Sequence, residues 1–182
     1  ALHMALVALG VSRKDEVITT PLTFVAPLNA IKYVGGEPLF MDISLQDLSL
    51  DINMLNSYAE KYFTDENNIV LDSNTNKKVK ALLVVDVFGH IGEVEEYRKF
   101  CDKYKLKLIV DSAESLGSKR NNFTSAEFSD VTTASFNGNK IVTSGAGGAV
   151  VSGDEELLDK VRHLSTTANK TADKFSYFHD SV

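Results

Sequence analysis

Two residues stand out by type and by setting. Asp111 directly follows the run 106–110 (LKLIV), which reads as a buried strand. A carboxylate there is partly desolvated and needs a cationic partner. The ordinary alternative is a helix N-cap, a position that Asp favours. Lys140 lies in the stretch 135–148, SFNGNKIVTSGAGG. A lysine held between a strand and a glycine-rich loop is partly buried, and its amine is then a nucleophile for carbonyls. The ordinary alternative is an exposed loop lysine. The glycines also invite a dinucleotide-binding reading, but Gly145 to Gly148 precede a strand. That fingerprint follows a strand and opens a helix.

The elements that would carry these residues alternate. The pattern predicts a buried helix over 1–9, a strand over 16–20, a helix over 26–33 stopped by Gly35 and Gly36, and a strand over 38–43. Asp51 caps a helix running to about Phe63. The polar stretch 64–80 reads as a surface excursion with a small hairpin. The runs 81–85 (ALLVV) and 106–110 are strands buried on both faces, separated by a helix over 92–104. Strands over 130–136 and 148–152 and a helix over 154–163, capped by Asp154, complete the series. Such alternation predicts an α/β fold, three layers with a mostly parallel central sheet, in one domain over 1–182. In open sheets of this kind ligands sit beyond the carboxyl ends of the strands. Asp86, Asp111 and the 135–140 stretch all fall at such ends.

Composition narrows the classes. The chain has 182 residues, 43% of them apolar, which supports a sizeable core and excludes general disorder. A net charge of −6 gives no footprint for nucleic acid or an anionic membrane. No apolar run reaches transmembrane length. The lone Cys101 cannot form an internal disulfide and fits a reducing, cytoplasmic compartment. It falls on an amphipathic helix as an inert core residue. The charge run Glu93, Glu95, Glu96, Arg98 and Lys99 reads as a solvated helix face. The apolar start lacks the basic flank and cleavage site of a signal peptide. It reads as the middle of a core helix in a chain truncated at its start. The end, 175–182, has neither cap nor tail signal, which also suggests truncation.

Five segments in order carry a resemblance. They are Asp15 to Ile18 followed by Pro21, Thr23 and Phe24; Phe40 to Ile43; Val87 to His90; Asp111 to Gly117; and Ser135-Phe136 with Lys140, Thr143, Gly145, Gly147 and Gly148. Together they resemble the DegT-type sugar-nucleotide aminotransferases, which use pyridoxal 5'-phosphate on the type I aminotransferase fold. The resemblance implies that Lys140 bonds the cofactor covalently and that Asp111 pairs with its pyridinium nitrogen, making the ring an electron sink. It implies that Phe24 stacks on the ring, that Ser135 donates to the phosphate, and that Thr143 reaches the phosphate region. Glu114 falls at a position, often Gln in the family, that contacts the phenolic oxygen, so an acid there is a departure. His90 is expected to be structural. No metal is implied.

The resemblance further implies a large domain lacking the phosphate-cupping segment before Ala1 and the small closing domain after Val182. It implies a homodimer and transfer of an amino group, from glutamate, to a keto-sugar linked to a nucleoside diphosphate. The 137–140 sequence (NGNK) and the polar 64–80 segment resemble legionaminic-acid-type enzymes, with a UDP-linked 4-keto-6-deoxy-N-acetyl-hexosamine as acceptor. The fragment alone is then expected not to turn over substrate. A sugar dehydratase of the same family is a rival, but those enzymes generally carry histidine at the lysine position. A catalytically silent fragment is the other rival.

Overall fold

A computed structural model describes residues 1–166. The 175–182 stretch lies outside the described residues. The central sheet is built from β1 (Asp15–Thr19), β2 (Glu37–Phe40), β5 (Lys77–Val85), β6 (Lys107–Asp111), β7 (Val131–Ser135) and β8 (Gly148–Val151), with a hairpin of β3 (Phe63–Glu66) and β4 (Ile69–Asp72). Its order is β2-β1-β5-β6-β7-β8, parallel from β2 through β7, with β8 antiparallel at the edge.

Period-two alternation along the strands divides the core. Leu82, Val84, Leu108 and Val110 face one side, where they pack against α3 (Ile52–Tyr62) and α4 (Val94–Tyr104). Ala81, Leu83 and Ile109 face the other, against α1 (Leu2–Ala8) and α2 (Val25–Tyr33). Beyond them Leu157 of α5 (Glu155–Ser165) packs with Ala5 and Val131 on that same side. The result is the three-layer α/β/α arrangement that the alternation predicts. Continued along β6 and β7, the same alternation turns Asp111, Thr133 and Ser135 toward the α1/α2 side.

Several boundaries move for physical reasons. β5 starts four residues before the apolar run, because Lys77 and Lys78 pair with Asp72 and Leu71 of the hairpin. Between Val79 and Ala81 the register with β1 shifts, leaving Lys80 as an extra residue. That bulge lets Val79 and Leu82 reach the same core. The expected hairpin is present, yet the excursion is not all surface, since Val70 and Asp72 are buried. Asp72 accepts a hydrogen bond from Tyr58 Oη at 2.7 Å. β2 stops at Phe40, short of Ile43, where the chain turns and Ile43 pairs with Leu50. The first helix is not buried all round: Ala5 and Leu6 are buried while Val7 is exposed. Asp51 and Asp154 cap their helices as expected, accepting from Asn53 N, Met54 N and Leu157 N.

The charge run on α4 also needs correction. Glu93, Glu95, Glu96 and Lys99 are exposed, but Arg98 is half-buried and pairs with Asp130 at 2.7 Å. Asp130 also accepts from Leu108 N at 2.8 Å and Lys107 Nζ at 3.1 Å. Burial pushes its carboxyl up, but the bonds from Arg98, Leu108 and Lys107 outweigh it and hold the carboxyl below its usual range. A depressed carboxyl contributes stability above its unfolded value, lost as pH falls through the folded one. Asp130→Asn is therefore expected to cost about 1–3 kcal/mol at pH 7. Urea unfolding checks this, and the difference should shrink as the pH falls below the ordinary carboxylate range. Cys101 is fully buried, and burial pushes its thiol well up, as suits an inert core residue.

Candidate active site

At the carboxyl ends of β5, β6 and β7 lies a cavity of about 790 Å³. Its walls include Phe24, Asp111, Glu114, Thr133, Ser135 and Lys140. Residues separated by up to 116 positions thus meet because three parallel strands end together and α2 starts beside them.

Asp111 ends β6 and is 5% exposed. Its Oδ1 accepts from Ala113 N at 3.1 Å, which fixes the turn after the strand; no helix begins there. Burial raises its carboxyl to about 6, although the Ala113 bond and the positive charge of Lys140 pull the other way. The carboxylate is thus costly to ionise without a closer cation. Lys140 follows a tight turn in which its N–H donates to Asn137 O at 3.0 Å. Phe136 anchors the rest of the loop: its N–H donates to Gly147 O at 3.0 Å and its carbonyl accepts from Ser144 N at 3.1 Å. The glycines then lead into β8, as the sequence order requires. At Gly148 an added Cβ would stand 2.5 Å from Ala134 O, so only glycine lets β8 pair with β7 there.

Lys140 Nζ lies 3.5 Å from Glu114 Oε1, and Glu114 Oε2 accepts from Phe88 N at 3.0 Å. Phe88 has φ 54°, and the following Gly89 has φ +80°. A Cβ on Gly89 would come within 2.9 Å of Glu114 O. This left-handed turn brings the N–H of residue 88 against the Glu114 carboxylate. Ser135 faces the cavity, with its Oγ accepting weakly from Asn137 N at 3.4 Å. Phe24 precedes α2 and is 72% exposed, its ring at the cavity wall.

Other sequence candidates fall elsewhere. Asp86 does not line the cavity. It is buried, and its Oδ2 accepts from Ser115 at 2.6 Å, Ser125 at 2.7 Å and Ser112 at 3.3 Å. Burial pushes its carboxyl up against the pull of those hydroxyls. It staples the 112–115 turn to the end of β5. Thr143 is committed within its loop, donating to Phe136 O at 3.1 Å and accepting from Gly145 N at 2.9 Å, and it is not among the cavity walls. His90 is exposed and off the cavity; its backbone N–H closes a turn to Val87 O.

Sequence reasoning missed Thr133 and the N–H of Phe88. Thr133 is the ladder partner of Asp111 and is 1% exposed, yet among the described residues its hydroxyl has no partner. Its signal was period two along 131–135, which puts it on the face of Ser135. The backbone donor at 88 carries no side-chain signal.

The mostly parallel sheet with helices on both faces is the type I fold of pyridoxal-phosphate-dependent aminotransferases, to which the solved structures it resembles belong. The chain belongs to the DegT/DnrJ/EryC1/StrS aminotransferase family, which it matches over residues 1–182. It is 34% identical to GDP-perosamine synthase of Escherichia coli O157:H7 over 182 residues, all of this chain and 45% of that one. It is 35% identical over 164 residues to UDP-4-amino-4,6-dideoxy-N-acetyl-beta-L-altrosamine transaminase of Campylobacter jejuni, 90% of this chain and 40% of that one. The crystal structure of NtdA from Bacillus subtilis with bound cofactor PMP superposes with a TM-score of 0.80 at 28% identity, covering 98% of this chain and 37% of that one. The chain thus spans less than half the length of these relatives. Among the described residues, no helix is long and apolar enough to cross a membrane.

The aminotransferases of this family use pyridoxal phosphate. The residues present suit such a group. Among the described residues, the buried Asp111 has no close cation and the buried Thr133 hydroxyl has no partner, and the cavity falls within the size range of small-molecule sites.

Proposed function

We propose that this chain is the cofactor-binding part of an enzyme that reversibly transfers an amino group to a keto-sugar linked to a nucleoside diphosphate. The observation that carries this reading is the meeting of Lys140, Asp111, Glu114, Ser135 and Phe24 at one cavity. In it, Lys140 bonds the cofactor, Asp111 balances the charge of its ring nitrogen, Phe24 flanks the ring, Ser135 donates to the phosphate and Glu114 lies on the phenolic side. When bound, the cofactor supplies an electron sink for the substrate carbanion. Lys140 Nζ takes the proton from the substrate carbon and later returns one, acting as base and then acid. Asp111, kept from water by burial, holds the ring nitrogen protonated throughout.

The donor in this reading is glutamate, and the acceptor is a UDP-linked 4-keto-6-deoxy-N-acetyl-hexosamine, as in legionaminic-acid-type enzymes. The Campylobacter transaminase, which acts on a UDP-sugar by its name, supports the nucleotide. A GDP-linked keto-sugar is the second reading, favoured by likeness to GDP-perosamine synthase along the whole chain. The enzyme works in the cytoplasm as a homodimer; the exposed rings of Phe24, Tyr33 and Phe88 at the cavity suit cover by a second subunit. Sedimentation of the protein at the length of its relatives tests the dimer.

The deciding assay gives that protein glutamate and each keto-sugar in turn. Amination of the UDP-linked sugar is expected. Turnover of the GDP-linked sugar alone would overturn the choice of nucleotide, and turnover of neither would overturn the transaminase reading.

A further inference from the structure

We propose that the Thr133 hydroxyl is a positioning donor for Asp111, closing on its carboxylate when the ring nitrogen of the cofactor docks there. The proposal rests on the reading of Asp111 as the partner of that nitrogen and adds the group that fixes its orientation.

Two neighbouring carboxylates differ in their donors. Asp86, just after β5, is buried and accepts from three hydroxyls, those of Ser112, Ser115 and Ser125. Asp111, at the end of β6, is also buried, yet among the described residues its carboxylate accepts from one donor, Ala113 N–H at 3.1 Å. An ionised carboxylate has about four acceptor sites. Buried, it is tolerated only when paired and hydrogen-bonded.

A spare donor stands beside it. Thr133 lies directly across the β6–β7 ladder from Asp111, and both residues line the cavity. The Thr133 hydroxyl is buried and, among the described residues, unpartnered. The hydroxyls before and after it on β7 are engaged: Thr132 Oγ1 lies 2.7 Å from Ser129 Oγ, and Ser135 Oγ accepts from Asn137 N. The register cannot slip, because Ser112 N–H donates to Thr133 O at 2.8 Å and Val150 of β8 pairs with Thr133 on its other side. Adjacent strands lie about 4.8 Å apart, so a small side-chain rotation joins the hydroxyl to the carboxylate. An unpaired buried hydroxyl destabilises the protein, and valine would fill the same space without that penalty. A penalty carried by the cofactor-free protein and relieved on binding marks a group that serves the ligand. Thr133 acts through Asp111, which it holds in place for the ring nitrogen.

The test uses the protein at the length of its relatives, with cofactor removed. The probe is pyridoxamine phosphate, which has no aldehyde and so binds without a bond to Lys140. Thr133→Val should raise its Kd roughly tenfold, and Thr133→Ser should restore it to within about threefold. Melting of the cofactor-free protein should move the other way, valine raising Tm by roughly 1–2 °C. In an Asp111→Asn background the valine effect on Kd should shrink to about twofold or less, since the two residues act as one unit. Thr133→Ala, with a similar loss of affinity, replaces valine should that variant not fold. An unchanged Kd would overturn the proposal. So would a fall in cofactor-free Tm alongside the lost affinity, which marks a purely structural threonine. The full tenfold effect in the Asp111→Asn background would also overturn it, because the hydroxyl would then act on the cofactor directly. Borohydride fixation of pyridoxal phosphate on the wild-type protein runs alongside. Wild-type protein that binds neither form of the cofactor would overturn the underlying reading and this proposal with it, whereas the other outcomes bear on Thr133 alone.

Discussion

Lys140→Ala should remove the covalent bond to pyridoxal phosphate and lower transamination by about three decades or more, with little cost to folding. In the proposed mechanism Lys140 moves the proton, and a positioned acid–base side chain supplies roughly 10²–10⁴-fold. Folding should be spared because the ion pair with Glu114 is partly solvated, and such pairs contribute roughly 0–1 kcal/mol. The loop itself is held by backbone bonds through Asn137 and Phe136, which alanine leaves in place. Reduction with borohydride and peptide mapping checks the bond, and circular dichroism melting checks the fold. Wild-type protein labelled elsewhere, or a Lys140→Ala variant that still forms a reducible adduct at this cavity, contradicts the assignment.

How far the sequence reveals the molecule depends on the range of the forces involved. Apolar runs such as 81–85 and 106–110 announce buried parallel strands because burial on both faces leaves no polar positions. Asp111 is legible because it breaks such a pattern at a strand end, and Lys140 because it stands between a strand and a glycine-rich loop. The start of β5 is not, since KKVK looks solvated until the hairpin pairs with it. Arg98 reads as one more surface charge on α4; only the tertiary approach of Asp130 makes it half-buried. Asp86 illustrates the opposite error. It sits at a strand end like Asp111, but three serines from later in the chain enclose it and take it out of the cavity. The pairing of Glu114 with both Lys140 and a backbone N–H could not be read from the 26-residue separations involved. It depends on where two turns come to rest at neighbouring strand ends.

Asp111→Asn separates a catalytic carboxylate from a turn-stabilising one. The amide keeps an oxygen to accept from Ala113 N, so the turn survives. It cannot balance a cationic ring nitrogen. Losing an ion pair in a site shielded from water costs roughly 3–5 kcal/mol, or about two to four decades in rate. Stability without cofactor should move the other way. Burial raises the Asp111 carboxyl to about 6, well above an unfolded aspartate. A carboxyl raised on folding favours the native state below its unfolded value, and that advantage is lost as pH rises through about 4 to 6. At pH 7 the buried charge therefore opposes folding, and the neutral amide should stabilise the cofactor-free protein by roughly 3 kcal/mol. Below pH 4 the two proteins should unfold at nearly the same urea concentration. The expected result is a protein that is more stable at neutral pH, binds pyridoxal phosphate more weakly and is nearly inactive at the length of its relatives. Near-normal turnover would instead mean that Asp111 serves the turn alone.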